Sequence, residues 1–156
     1  MSLKEQMILK LFNGLVWRLI NQNFSSQPYL PAKAPDGRFH HSGQTAIYTS
    51  LTPEGTQVAI KRYLTDKIPR VLCRFELNAT RVADIRNDPV ASMVWQDIVA
   101  EGRLSPTWKY SNSARDAGAQ AMLYSSRSQP ELTHAVIFDP ECLNNAQPVT
   151  YTPQTF

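Results

Sequence analysis

A period-two pattern between residues 71 and 78 constrains the fold more than any other feature of the sequence. Val71, Cys73, Phe75 and Leu77 alternate with Leu72, Arg74, Glu76 and Asn78. This alternation is typical of a strand. The residues from Val82 to Ile85 predict that the same strand resumes after a bulge. The chain is therefore expected to build a sheet around this segment.

Helix and strand patterns are interspersed along the rest of the chain. Thr52-Pro53-Glu54 combines an N-cap, a first-turn proline and a first-turn acid, which predicts the start of a helix. Helices are predicted over residues 3–13, from Pro53 to about Tyr63, from Asp88 to Val99 and over residues 111–120, and further strands over residues 15–20, 45–50, 121–126 and 133–138. Because there is no regular βαβ alternation, we predict an α+β fold with a small mixed sheet flanked by helices.

The length of 156 residues suits one domain with a sizeable core. We predict a single domain over residues 1–156, with its core between about residues 15 and 140 and a polar tail over residues 144–156 that lies along the surface. The apolar stretch from Met7 to Ile20 is interrupted by three polar or charged residues. It is therefore read as folded core rather than as a membrane span or a signal peptide.

The number of cysteines and the net charge limit which cellular compartment and which class of binding partner are expected. Cys73 and Cys142 are the two cysteines, and neither belongs to a C-x-x-C motif, so a reduced, cytoplasmic setting is expected and a single disulfide is the less favoured alternative. The formal net charge is +3 and the pI about 9.0, but the cations are scattered along the chain. Nucleic-acid binding would rest on this charge alone, and we rank it last.

Polar chemistry is concentrated between Gly37 and Ser50. This segment combines a cation, two imidazoles and glycines with a strand over residues 45–50, on which Ala46 and Tyr48 share one face. Arg38 and Tyr48 are thus predicted to face one cleft. There is no Gly-rich phosphate loop, so a nucleotide would be held by side chains, and the arginine fork suits a pyrophosphate. No histidine pair has helical metal-ligand spacing, and no Gly-x-Ser-x-Gly elbow is present, so we expect neither a metal site nor that type of hydrolase.

Several short motifs resemble, in order and spacing, those of the RES domain family. They are Trp17-Arg18-Leu19, Gly37-Arg38-Phe39-His40 ahead of Gly43, the run from Ile47 to Glu54, Ala83-Asp84-Ile85, the segment Ser105-Pro106-Thr107-Trp108, and Ala117-Gly118-Ala119 ahead of Tyr124-Ser125-Ser126-Arg127. Together the matches extend over roughly residues 15 to 140. Each motif is weak by itself, but the ordered series is fairly specific.

The resemblance implies the toxin half of a bacterial toxin-antitoxin pair. Such an enzyme would consume NAD as a substrate by hydrolysis, phosphorolysis or ADP-ribosyl transfer, on a fold similar to ADP-ribosyltransferase toxins. The implied partner is a helix-turn-helix antitoxin, with which the chain would form an oligomer. No membrane contact and no direct contact with nucleic acid are expected.

The resemblance also implies roles for individual residues. The arginine, tyrosine and serine of the family fall on Arg38, Tyr48 and Ser126, and a second arginine falls on Arg18. The two arginines would hold the phosphates, Tyr48 would lie near the nicotinamide ribose, and Ser126 would act at the reacting end, with Ser125 as the alternative. His40 is a weaker candidate for a ligand contact.

The carboxylate of the family is missing from its expected position. In an ungapped register from Tyr48, Ala59 stands there, and the nearest acid is Glu54. Five residues along a helix correspond to about 500° of rotation and about 7.5 Å of rise, so these two positions cannot present side chains to one spot. Glu54 remains a weak catalytic candidate, beside the more distant Glu76 and Glu101. The second hypothesis is thus a catalytically weakened protein that acts mainly by binding its antitoxin.

Overall fold

The computed structural model describes residues 2–60 and 66–149. Its helices are α1 (Leu3–Gln6), α2 (Pro53–Ile60), α3 (Gln96–Ala100) and α4 (Trp108–Asp116), with 3-10 turns at Gln22–Phe24 and Pro140–Cys142. Its strands are β1 (Leu9–Asn21), β2 (Ile47–Ser50), β3 (Arg70–Asp84), β4 (Ala121–Ser125), β5 (Thr133–Ile137) and β6 (Leu143–Val149). No helix in this part of the chain is long and apolar enough to cross a membrane.

The strands form one mixed sheet that closes on itself. The order is β1-β2-β5-β4-β3, and β3 pairs back with β1. The β3–β4 pairing is parallel and the other pairings are antiparallel. This mixed sheet with few helices confirms the α+β prediction, although the closure of the sheet was not foreseen. Likeness to ADP-ribosyltransferase toxins stays a prediction.

Alternate residues of the strands build two hydrophobic clusters, because successive side chains point to opposite faces of a sheet. Inside the closed sheet lie Ile47, Phe75 and Leu123, together with both cysteines, which are free. The outer cluster contains Tyr48 and Tyr124 with Ala46, Phe39, Met122, Val136, Tyr110 and Ala114. Ala46 and Tyr48 therefore share one face, as predicted. This outer face is the side of the sheet on which the polar residues of the 37–50 segment gather.

The predicted helix over residues 3–13 is wrong beyond Gln6. From Leu9 onward the chain is β1, which pairs with β3 along its length, from Leu9 opposite Ala83 to Asn21 opposite Arg70. This pairing overrides the three- and four-residue spacing of the apolar side chains. Gly14, the residue after the predicted helix, lies within the strand, and a Cβ there would meet the Phe12 ring at 3.1 Å. The glycine therefore makes room for that ring rather than ending a helix.

The helix predicted from Asp88 is also wrong for most of its length, since only Gln96–Ala100 is helical. The Asp88 carboxylate accepts hydrogen bonds from the backbone N–H of Val90 and from the Tyr110 hydroxyl. The Arg38 guanidinium donates hydrogen bonds to the carbonyls of Ala91 and Met93. In a helix these carbonyls would instead accept hydrogen bonds from backbone N–H groups of the same helix. Distant side chains therefore hold this segment in a series of turns.

The polar tail forms strand β6 up to Val149, and most of its residues there are exposed at the edge of the sheet. Residues 143–149 pair with the first half of β3, whose last residues pair with β4. Pro148 opposes Cys73 on this edge strand, a position where a residue without an N–H is tolerated. The predicted bulge in β3 is confirmed, because Lys10 and Phe12 face Val82 and Ala79.

Other boundaries differ by a few residues. The helix predicted over residues 111–120 begins at Trp108 and ends at Asp116. The helix start at Thr52-Pro53-Glu54 is confirmed, since the Thr52 hydroxyl accepts a hydrogen bond from the Gly55 N–H at 3.1 Å. Its predicted end near Tyr63 lies outside the described residues.

Candidate functional site

A small cavity of about 160 Å³ lies where β1, β2 and helix α2 meet. It brings together three predicted positions: Arg18 from β1, Tyr48 from β2 and Ala59 from α2. The remaining lining residues are Trp17, Leu19, Thr49, Ser50, Thr56, Ile60 and Tyr124. Among the described residues that line it, none is acidic. The cavity thus combines aromatic walls and one cation with a missing carboxylate.

Arg18 enters this cavity from a largely buried position. Its Nη1 donates a hydrogen bond to the Pro28 carbonyl at 3.0 Å, which ties β1 to the proline-containing loop. Burial lowers the pKa of the guanidinium, and the nearby Cys73 thiol partly opposes that shift. Asp84 and Glu76, two acids that could neutralise a buried arginine, have other partners: Asp84 pairs with Arg86, and Glu76 accepts a hydrogen bond from Asn145. Arg18 therefore lines the cavity, and neither of these two acids is its partner.

A chain of hydrogen bonds fixes the Tyr48 ring. The Phe39 N–H donates to the Tyr48 hydroxyl at 3.0 Å, and that hydroxyl lies 2.7 Å from Nδ1 of His40. Nε2 of His40 is 2.8 Å from the Ala34 carbonyl, which can only accept, so Nε2 carries the proton and Nδ1 accepts from Tyr48. His40 is buried and thus acts as the support of Tyr48. This arrangement leaves the Tyr48 ring, rather than its hydroxyl, for contact with a ligand.

Gly37 is required by the same arrangement. A Cβ on Gly37 would lie 2.2 Å from the Cε1 of His40 and 2.8 Å from the Tyr48 hydroxyl. Gly37→Ala is therefore expected to lower the free energy of unfolding by about 1–3 kcal/mol, as for other overpacked sites, and to displace the Tyr48 ring. Chemical denaturation measures the first effect. Gly43→Asn is the control, because a Cβ there meets nothing within 4 Å and asparagine tolerates its positive φ; equal losses in both variants would contradict the steric explanation.

A buried serine–histidine pair lies beside the cavity, and sequence reasoning missed it. Ser50 and His134 are neighbours across β2 and β5, with 2.7 Å between Ser50 Oγ and His134 Nδ1. Burial, followed by the charge of Arg38, lowers the pKa of His134 to about 4. The imidazole is therefore neutral at physiological pH. The two residues are 84 positions apart, and no local motif joins them.

The low pKa of His134 makes stability depend on pH. An unfolded histidine titrates near pH 6.5, so between about pH 6.5 and pH 4 the unfolded chain binds a proton that the folded chain does not. The contribution of His134 to stability is thus full above that range and is lost as pH falls, by about 3 kcal/mol in total. Urea unfolding of wild type and His134→Asn across this range measures it, and the variant is expected to show a flatter pH dependence. Ser111→Ala, which removes a buried hydroxyl that does not titrate in this range, should keep the wild-type slope; parallel curves for wild type and His134→Asn would refute the assignment.

Arg38 lies on the outer face of the sheet, near this pair. Its cation contributes to the low pKa of His134 and opposes the burial that raises the pKa values of Tyr48 and Tyr124. Its Nη1 also donates to the carbonyls of Ala91, at 3.2 Å, and Met93, at 2.7 Å. Arg38 therefore anchors the turns after β3, and its predicted contact with a phosphate stays a prediction.

Arg115 is a further cation near Tyr48, and sequence reasoning missed it. From α4 it donates to the carbonyls of Thr45 and Phe39, at 2.9 and 2.8 Å, and its guanidinium lies over the Phe138 ring. It holds the segment before β2 against the sheet, and so helps to fix the position of Tyr48. No pattern in the sequence of α4 marked this residue.

The other predicted site residues have local partners. The Ser126 hydroxyl accepts a hydrogen bond from the Gln129 N–H at 3.3 Å, and the Ser125 hydroxyl accepts from the Asn87 N–H at 2.8 Å. Glu54 is exposed in the first turn of α2 and does not line the cavity that Ala59 lines. The geometric argument that these two positions diverge therefore holds. Glu76 and Glu101 bind Asn145 and Arg103 away from this cavity.

A larger open cleft of about 1040 Å³ lies at the end of β3 and β4, beside α1. Of the predicted serines it includes Ser125 alone, and two of its carboxylates already have partners: Asp84 pairs with Arg86, and Asp88 accepts a hydrogen bond from Tyr110. We therefore take the smaller cavity as the candidate site. In the described part of the chain, no group of three or more His, Cys, Asp or Glu residues could hold a metal ion.

Comparison with known proteins agrees with the motifs. Among protein-family models, the one described as RES domain matches residues 15–156. Among solved structures, the chain is similar to a chain of the M. tuberculosis MbcT–MbcA toxin-antitoxin complex, with a TM-score of 0.59 and 13% identity, over 91% of this chain and 87% of that chain. At that identity the likeness shows the fold alone. No match was found among the curated proteins.

Proposed function

This chain belongs to the RES domain family, and from that premise we propose that it is the toxin of a toxin-antitoxin pair, one that consumes NAD. The reaction is cleavage of the bond between nicotinamide and ribose, with water, phosphate or a protein as the acceptor. The observation that carries the proposal is the convergence of Arg18, Tyr48 and the Ala59 position on one cavity.

The size of the cavity fits one end of a dinucleotide. About 160 Å³ accommodates a single aromatic ring with a small substituent and is well below the roughly 300–1,000 Å³ typical of sites that enclose a whole ligand. In this proposal the nicotinamide occupies the cavity beside the Tyr48 and Tyr124 rings. The rest of the dinucleotide lies outside, where Arg18 and Arg38 provide positive charge for the pyrophosphate.

The described lining of the cavity offers groups for binding but no carboxylate for cleavage. Departure of nicotinamide leaves positive charge on the ribose, and a nearby carboxylate would stabilise that charge. Ala59 supplies none, and the nearest acid in the sequence, Glu54, is exposed at the other end of α2. This observation favours a second candidate function, a catalytically weakened toxin-like protein that acts mainly through its antitoxin.

An antitoxin is the proposed protein partner under both candidates. The similar M. tuberculosis chain comes from a toxin-antitoxin complex, and the family resemblance points to an antitoxin of the helix-turn-helix type. We propose that the chain forms an oligomer with it in the cytoplasm. The two free, buried cysteines suit a reducing compartment.

The direct test is incubation of the purified chain with NAD and measurement of released nicotinamide by chromatography. NAD-dependent release, with or without added phosphate, is the expected result. Binding of NAD without release would favour the second candidate. Neither binding nor release at high protein concentration would overturn the NAD proposal.

A further inference from the structure

We propose that the Ser50 hydroxyl, held by His134, recognises the carboxamide of nicotinamide at the floor of the cavity. The inference rests on the proposed function and adds a specificity-determining residue to it. Ser50 would contact the ligand directly, whereas His134 would act through Ser50 as a positioning residue. Neither belongs to the positions at which the family resemblance placed a role.

Burial separates the floor of the cavity from its mouth. Ser50 is 2% exposed, Thr49 and Thr56 are each 4% exposed and Tyr124 is 7% exposed, so these four residues lie at the inner end. Ala59, by contrast, is exposed, which puts it at the mouth. A ring that enters past Ala59 therefore points its innermost substituent towards three hydroxyls, which differ in their partners.

Among the serine and threonine hydroxyls of this cavity, that of Ser50 is bonded to an imidazole, whereas the other two are bonded to the backbone. Thr49 Oγ1 donates to the Ala135 carbonyl at 2.8 Å, and Thr56 Oγ1 donates to the Pro53 carbonyl at 2.6 Å. Each of those two hydroxyls thereby uses its single O–H donor on a backbone carbonyl. The Ser50 hydroxyl, with one donor and two acceptor sites, can still bond a ligand while it keeps its contact with His134.

The neutral imidazole allows Ser50 to serve either side of a carboxamide. When His134 Nδ1 accepts the Ser50 proton, the serine oxygen can accept from the amide NH₂ group. When Nδ1 instead carries the proton and donates it, the Ser50 O–H can donate to the amide oxygen. A buried group built to hydrogen-bond a substituent rejects analogues that lack it, because its polar atoms then stay unpaired. The pair is thus suited to select a ring that bears a carboxamide.

Binding of two small probes, nicotinamide and pyridine, tests the inference. Titration of the full chain by NMR gives the two affinities, and wild type is expected to prefer nicotinamide. Ser50→Ala should weaken nicotinamide binding about tenfold, the value of one hydrogen bond, and leave pyridine binding unchanged. His134→Leu should reduce the same ratio, and His134→Asn should restore part of it, a pattern that a purely structural role would not produce.

Control variants keep the result interpretable. Ser111→Ala removes a fully buried hydroxyl from α4, outside the cavity, and should keep the wild-type ratio. If Ser50→Ala fails to fold, Ser50→Cys retains nearly the same volume with a weaker hydrogen bond, and an intermediate ratio is expected. If wild type releases nicotinamide from NAD but the Ser50 variants keep the wild-type ratio of nicotinamide affinity to pyridine affinity, the role of Ser50 is overturned and the proposed function stands. Failure of wild type to bind or cleave NAD would overturn the proposed function.

Discussion

Replacement of Ala59 by glutamate is expected to raise the rate of nicotinamide release by about 10²- to 10³-fold. The physical reason is that this position lines the cavity together with Arg18 and Tyr48. A carboxylate there would stabilise the positive charge that develops on the ribose, and single preorganised electrostatic contacts of this kind contribute about that factor. Steady-state nicotinamide release from NAD, compared between wild type and Ala59→Glu, measures the gain.

Val58→Glu is the matched control for this experiment. It adds the same charge to the same helix at the preceding residue, about 100° around the helix axis, and Val58 does not line the cavity. A similar gain in both variants would show that charge alone, rather than its position, changes the rate. A fast wild type that Ala59→Glu leaves unaltered would show that another group already supplies the carboxylate function, and would remove the case for a weakened protein.

The sequence predicted the strands well because most strands carry their own pattern. The alternation from Val71 to Leu77 and the apolar run at Ala121 each coincide with a strand of the structure. The errors occur where distant parts of the chain decide the local structure. The segment after Asp88 is not helical because Arg38, more than 50 residues earlier, binds its carbonyls. Residues 9–13 are a strand because β3 offers them a partner.

The candidate site could be predicted in part for the same reason. Arg18, Tyr48 and Ala59 lie in short motifs whose order and spacing point to a common site, and they do line one cavity. Ser50 and His134 have no such motif, since their contact arises only when β2 pairs with β5. The role of His40 was also beyond the sequence, because its support of Tyr48 depends on a turn that Gly37 permits.

Arg18→Gln is expected to weaken NAD binding by about 10- to 100-fold. Arg18 is the cation that lines the cavity, and a charge-assisted hydrogen bond to a phosphate oxygen is worth about 1.5–3 kcal/mol, which corresponds to that range of affinity. Glutamine removes the charge and keeps a shorter polar side chain with a hydrogen-bond donor in the place where Arg18 now bonds the Pro28 carbonyl. Isothermal titration with NAD and with nicotinamide measures the effect, and the loss should be larger for NAD because nicotinamide carries no phosphate.

Arg74→Gln is the charge-matched control for that variant. Arg74 lies opposite Trp17 on β3 and donates to the Gln147 side chain at 2.9 Å, outside the cavity. It should bind NAD as wild type does, because the Arg74 guanidinium bonds the Gln147 side chain and Arg74 does not line the cavity. If Arg18→Gln also binds NAD normally, the pyrophosphate does not contact β1. Arg38 would then be the remaining predicted phosphate ligand, and its binding to NAD would require it to exchange backbone carbonyls for phosphate oxygens, loosening the turns after β3.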